Sequence, residues 1–115
     1  MKVSEICTLL DAEVVVGKDK MDLEIRSACG SDMMSDVLAF VKNKSILLTG
    51  LVNPQVVRTA EMMDMGGVVF VRGKVPDQTI IDLAEDMGMV LLTTTHRLFT
   101  ACGILYSNGL IGDEK

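Results

Sequence analysis

Four short stretches of this sequence carry side chains able to do chemistry. They are Ser31-Asp32, Thr49 with Asn53, Arg72 with Lys74, and Thr94-Thr95-His96-Arg97. Arginine and lysine meet phosphate or carboxylate oxygens through charge-assisted hydrogen bonds, and hydroxyls and amides orient the same group. Each stretch precedes a segment of helical spacing, and a helix start adds free N–H groups and partial positive charge. Together these types suit a small anion, and a phosphate-bearing molecule such as a nucleotide is the expected ligand. The same residues have a plainer use. Ser, Asn and Thr before helices are ordinary caps, and glycines in such loops are ordinary turn residues.

Catalysis finds less support. His96 is the only histidine, and a general acid or base needs a partner within hydrogen-bond reach. Its neighbours are Thr95 and Arg97, and Asp32 could approach it only through the fold. No catalytic residue is assigned, and the chain is expected not to be an enzyme. One histidine and three scattered cysteines (Cys7, Cys29 and Cys102) make no recognisable metal-ligand set. Neither G-x-x-x-x-G-K-[ST] nor G-x-G-x-x-G occurs. No metal or cofactor is expected. An odd number of cysteines without C-x-x-C suits a reducing compartment, where they serve as small buried hydrophobes.

The elements that must position these residues follow a repeat. Ile46-Leu47-Leu48, Val68-Val69-Phe70-Val71 and Val90-Leu91-Leu92 begin 22 residues apart, and Pro54 and Pro76 keep that offset, as do Asp64-Met65-Gly66 and Asp86-Met87-Gly88. Each beat reads as a buried strand, a polar turn, a helix and a glycine stop. Runs apolar throughout are strands covered on both faces, which predicts a parallel sheet. Asn53 should cap a helix whose first position is Pro54, with Val56, Val57, Ala60 and Met63 inside and Gly66 as the left-handed stop. The next helix should span 76–87 and stop at Gly88. Thr95 should cap the last helix, where Leu98, Cys102 and Leu105 form a stripe. Ile104 and Tyr106 predict that this helix is covered on more than one side.

Upstream, Val3, Ile6, Cys7 and Leu10 sit at helical spacing. Val14-Val15-Val16 is a short strand, and the alternation over 23–28 predicts another, with one wetter face. Ser31 should cap a helix carrying Met34, Val37, Leu38 and Val41 on one face and ending at Asn43-Lys44. The N-terminal part is expected to add an antiparallel edge, and 112–115 to form a frayed tail. If the strands are parallel, the four polar stretches all lie outside their carboxyl ends, where open α/β sheets bind ligands.

With 115 residues and no linker-like tract, the chain reads as one domain over 1–115 with its core at about 3–108. Aromatics are only 3 %, so the core must be aliphatic, with nine methionines as adaptable filler. A net charge of −5 argues against nucleic acid as the main partner. No apolar stretch approaches the ~20 residues of a membrane span. The N-terminal residues lack a signal-peptide apolar run, so a cytoplasmic location is expected. Met33, Met62 and Met65 lie off the helix stripes. Surplus apolar residues of this kind mark interfaces, and a homodimer is expected.

The segments Val68-Val69-Phe70-Val71-Arg72-Gly73-Lys74-Val75-Pro76, Ile80-Ile81-Asp82-Leu83-Ala84-Glu85 and Met89-Val90-Leu91-Leu92-Thr93-Thr94 resemble the N-terminal domain of bacterial HPr kinase/phosphorylase. With Cys29-Gly30-Ser31-Asp32-Met33-Met34-Ser35-Asp36 and Leu48-Thr49-Gly50, most of 3–108 looks like the related DRTGG domain. The resemblance implies a three-layer α/β/α sandwich with a mostly parallel sheet. It also implies a regulatory or assembly role beside a partner enzyme's catalytic domain. Kinase activity is not implied, because in HPr kinase the phosphate-binding loop belongs to a separate C-terminal domain. The expected function is a stand-alone regulatory domain that binds a small anion and signals to a cytosolic partner. The alternative is a dimerisation or protein-interaction module with no small-molecule ligand.

Overall fold

A computed structural model describes residues 1–40 and 44–112 of the chain. The predicted helix end at Asn43 and the tail beyond Gly112 lie outside the described residues. The elements run α1 Val3–Leu10, β1 Glu13–Val16, β2 Ser27–Gly30, α2 Met34–Phe40, β3 Ser45–Thr49, α3 Pro54–Met62, β4 Gly67–Phe70, α4 Gln78–Met87, β5 Val90–Thr93 and α5 Leu98–Ser107, with a 3-10 turn at Lys18–Lys20.

Five strands form one sheet in the order β1-β5-β4-β3-β2. Strands β2 to β5 are parallel, and β1 pairs antiparallel with β5 as the expected edge. Right-handed crossovers carry α2, α3 and α4 onto one face. After β5 the chain turns to the other face, where α5 packs beside α1 and crosses back over β3 and β2. The strands are buried on both sides. Leu47, Val68, Phe70 and Leu91 join Val37, Val56, Val57, Ala60, Ile80 and Ala84 in one core. Ile46, Leu48, Val69, Val90 and Leu92 join Val3, Ile6, Leu10, Ala101 and Leu105 in the other. This is the three-layer α/β/α sandwich that the resemblance implies, and its strands are covered on both faces as their apolar runs predict.

Several local expectations are corrected. The alternation over 23–28 is not a strand of the sheet, whose member is Ser27–Gly30. Residues 21–25 instead serve α1. Val3 and Ser4 donate their N–H groups to the carbonyls of Leu23 and Met21 (both 3.0 Å), and Lys2 bridges to Glu24. A helix start leaves four N–H groups without partners, and this segment takes two. Ile25 is buried there, which explains the alternation.

Gly66 is not the left-handed stop of α3. Met63 is the C-cap, and Asp64 takes the positive φ of 55°, a conformation that Asp tolerates better than most residues. Gly66 is there for room, since a Cβ on it would lie 2.5 Å from Ile25 Cδ1. Gly88 does stop α4, with φ 67°.

Helix α4 starts at Gln78 instead of 76, and Asp77 caps it by accepting from Ile80 N at 3.0 Å. The outer side of α5 is open, with Phe99 and Tyr106 exposed. The cysteines are half-buried and free, and each packs against one of the two cores. Burial pushes all three thiols up.

Candidate functional site

Because β2 to β5 run parallel, their following loops share one edge of the sheet, and all four predicted polar stretches come together there. Their tie points form a chain from loop to loop. Asp32, after β2, accepts through Oδ1 from Thr49 Oγ1 at 2.9 Å and from Gly50 N at 2.8 Å. Thr49 Oγ1 also accepts from Leu51 N at 3.1 Å, which tightens the turn after β3. The Arg72 guanidinium lies over Gly50, so closely that a Cβ at 50 would stand 2.8 Å from Nη2 and 3.2 Å from Nε. Arg72 N then donates to His96 O, and Gly73 N to Thr94 O, both at 2.8 Å.

These last two bonds bear on where a ligand could enter. In open α/β sheets the ligand crevice forms where adjacent strands send their connections to opposite faces. Here that point lies between β4, which leads to α4, and β5, which leads to α5. The backbone bonds between loops 71–77 and 94–97 tie it together, and the small cavity left there is lined by Asp11 and Glu13 as well as Gly73, Val75 and Thr93 to Thr95, a lining whose carboxylates oppose an anion. Arg72 adopts φ 62° to make its bond, and Gly73 follows with φ 69°. The approachable surface is therefore the β3–β4 part of the edge, where Arg72, Gly73, Lys74 and Asp32 are exposed.

The electrostatics are mixed. The Gly50 N–H holds the Asp32 carboxyl below its ordinary range. Slight burial opposes this, while the Thr49 hydroxyl and the charges of Arg72 and Lys74 add to it. Asp32 thus stays ionised near two cations. Among the described residues, Arg72, Lys74 and Arg97 make no ion pair.

The other predicted residues divide by what already occupies them. Ser31 is not an N-cap. It lies upstream of the helix start, with Oγ accepting from Met33 N at 3.0 Å in a local turn. Asn53 does cap α3, and its Oδ1 is spent on Val56 N at 3.1 Å. With Asp77 on α4, two of the three helix starts at this edge after β3 are filled by the chain's own side chains. Thr94 is buried, and its hydroxyl donates to Leu10 O at 2.7 Å, tying α1 to the loop. Thr95 is exposed and does not cap α5. The N-cap is Arg97, with no side-chain bond to the helix. His96 is half-buried, and Arg97 is exposed.

The methionines do not form one patch. Met65 is 5 % exposed and packs in the core under α3, so it is unavailable as a surface contact. Met33 and Met62 are exposed, but Met33 sits at the loop edge and Met62 at the far end of α3. Sequence reasoning missed Gly50, whose N–H and bare Cα help build the site; its signal was a glycine directly after a buried strand. It also missed Val75 and Phe99, exposed apolar residues at the same edge, Phe99 by 90 %. Among the described residues, no cluster of His, Cys, Asp and Glu could hold a metal ion. Nor is any helix among them long and apolar enough to cross a membrane.

A five-stranded α/β/α sandwich with a polar, partly basic loop edge is thus the class defined by fold and site. The chain belongs to the DRTGG domain family, whose profile matches residues 5–107. Its fold is shared with a solved structure from Clostridium perfringens, the CBS and DRTGG domains of the regulatory region of a pyrophosphatase, complexed with the activator diadenosine tetraphosphate. The TM-score is 0.75 at 19 % identity, over 90 % of this chain and 45 % of that one. The chain therefore spans less than half of that structure's length. Among curated proteins, none matches the chain.

Proposed function

We propose that this chain is a non-catalytic regulatory domain that binds a small anionic ligand, with nucleotides the leading class, and passes that state to a partner enzyme. The observation that carries this reading is the Arg72 guanidinium laid over Gly50, beside the Thr49 hydroxyl and the Gly50 N–H. A cation free of ion pairs, next to a backbone donor and a hydroxyl, is a donor set suited to an oxyanion. Lys74 extends the positive charge along the loop, and Thr95 and Arg97 are exposed on the adjoining loop that leads into α5. The regulatory region of the pyrophosphatase, which shares the fold, carries a nucleotide activator, and this supports the choice of ligand class. The likeness to the HPr kinase N-terminal domain and a cytoplasmic location belong to the same reading.

The test is thermal unfolding across a panel of nucleotides and phosphorylated metabolites. A ligand of the folded state raises the midpoint by mass action, by about 2.7 kcal/mol of stability at a hundredfold excess over its dissociation constant. One nucleotide class should raise the midpoint of the wild type in a dose-dependent way. Arg72→Ala should keep the fold and lose that rise. An unchanged rise in the variant would remove Arg72 from the site, and a flat panel for the wild type would remove the ligand.

A second reading has its own support. Met33, Val75 and Phe99 are exposed on this same edge, as in a protein-interaction module that associates, as a homodimer or with a partner enzyme, without any small ligand. A flat panel would favour it.

A further inference from the structure

Two of the donors that make this edge suitable for an oxyanion already have an occupant. Asp32 Oδ1 accepts from Thr49 Oγ1 and Gly50 N, and the Arg72 guanidinium lies over Gly50 on the same turn. A hydroxyl, a backbone N–H and a guanidinium are what a phosphate oxygen would take in that place. We infer that Asp32 is a built-in occupant of the chain's own oxyanion cradle, and that an external di- or polyphosphate enters by displacing it. This rests on the anion-binding reading given above.

Two observations support a displaceable occupant over a fixed strut. Asp32 is exposed, and its side chain reaches the cradle from the loop after β2, so its withdrawal opens neither core. Both bonds are made by one carboxylate oxygen. The chain also treats its other donor sites this way, with Asn53 on the start of α3 and Asp77 on that of α4. The difference is position: those caps sit directly on the first turns of helices packed on the core, whereas Asp32 lies on the loop ahead of α2 and bonds across to another loop.

The same arrangement sets the ligand class. A tethered carboxylate competes at an effective concentration of about millimolar or above. A single phosphate gains little over it. A ligand with two or more linked phosphates can place one in the cradle and another against Lys74, whose charge already reaches Asp32.

The experiment titrates inorganic pyrophosphate and inorganic phosphate, by calorimetry and by amide NMR, into the wild type, Asp32→Ala, Asp32→Asn and Asp32→Ala with Arg72→Ala. Asp32→Ala should bind pyrophosphate about tenfold or more tighter than the wild type. Asp32→Asn keeps a neutral acceptor for both donors and should fall between them. It carries the comparison if Asp32→Ala does not fold. Arg72→Ala should remove the gain, and the Gly50 amide resonance should move on addition of pyrophosphate. Pyrophosphate should outdo phosphate in every variant that binds.

Equal or weaker binding by folded Asp32 variants would overturn the inference. So would a gain that survives loss of Arg72. A wild type stabilised by a nucleotide, with Asp32→Ala weakened, would make Asp32 a ligand contact. That keeps the regulatory reading and sinks this one. Tight pyrophosphate binding by Asp32→Ala, with no nucleotide stabilising the wild type, would do the reverse.

Discussion

At Gly50 a single missing Cβ sets the geometry of the site. The atom that a side chain would meet is the tip of Arg72, not backbone. A flexible guanidinium can swing away, so Gly50→Ala should cost about 1 kcal/mol or less in urea denaturation. It should nevertheless weaken pyrophosphate binding in the Asp32→Ala background, because the guanidinium no longer lies on the turn. Full stability loss with unchanged binding would reverse that assignment. Asp32 gives a pH signature on the same turn. Its carboxyl titrates lower in the folded chain than in the unfolded one, first through the Gly50 N–H. A group of that kind contributes stability that is present above its unfolded value of about 3.9 and lost as pH falls through the folded value below it. The stability difference between wild type and Asp32→Asn should therefore hold from neutral pH to about pH 4 and shrink below it. The effect is small because the group is exposed. A difference that grows in acid would contradict the hydrogen bonding described.

The helices along the loop edge differ in whether a side chain of their own closes the start. Asn53 and Asp77 each accept a backbone N–H inside their helices, so replacing either by Ala should cost about 1 kcal/mol. Helix α5 has Arg97 at the cap with no such bond. Arg97→Ser should stabilise the fold by up to about 1 kcal/mol, read as a raised melting midpoint. A lowered midpoint would mean that Arg97 does structural work not visible in its contacts. The repeat of apolar runs made β3, β4, β5, α3 and α4 legible in the sequence, because strands buried on both faces leave continuous apolar runs and helices leave stripes. The start of α4 was misplaced because Pro76 mimicked Pro54. The repeat fixes the strands, but the loop after β4 is longer, and it turns through Arg72 and Gly73 before α4 begins. The four site loops were legible as a group because parallel strands place their ends together. Their occupants were legible only in part. Asn53 is the exception, marked in sequence as the cap of α3 and bonded three residues on, but whether Thr94 faces a ligand or the chain's own backbone depends on its bond to Leu10, distant in sequence, and no local pattern reports that.

For the whole molecule, the two cores and the acidic surface confine any association to particular faces. The chain carries −5 overall, yet Arg72, Lys74 and Arg97 gather at one edge, and that edge also exposes Met33, Val75 and Phe99. The far end of α3 offers only Met62 from the predicted methionine set, since Met65 belongs to the core. A partner, whether a second copy or an enzyme, therefore finds cationic charge and several exposed apolar side chains together at the loop edge. Phe99 separates this from a structural role because it is 90 % exposed. Phe99→Ser should leave stability within about 0.5 kcal/mol of the wild type. Met65→Ser removes buried side-chain volume and should cost about 2 kcal/mol or more. If the chain self-associates, light scattering should show Phe99→Ser lowering the association at unchanged melting midpoint, and Met62→Ser leaving it as it was. The opposite order would move the contact to the outer face of α3 and leave the loop edge to the ligand alone.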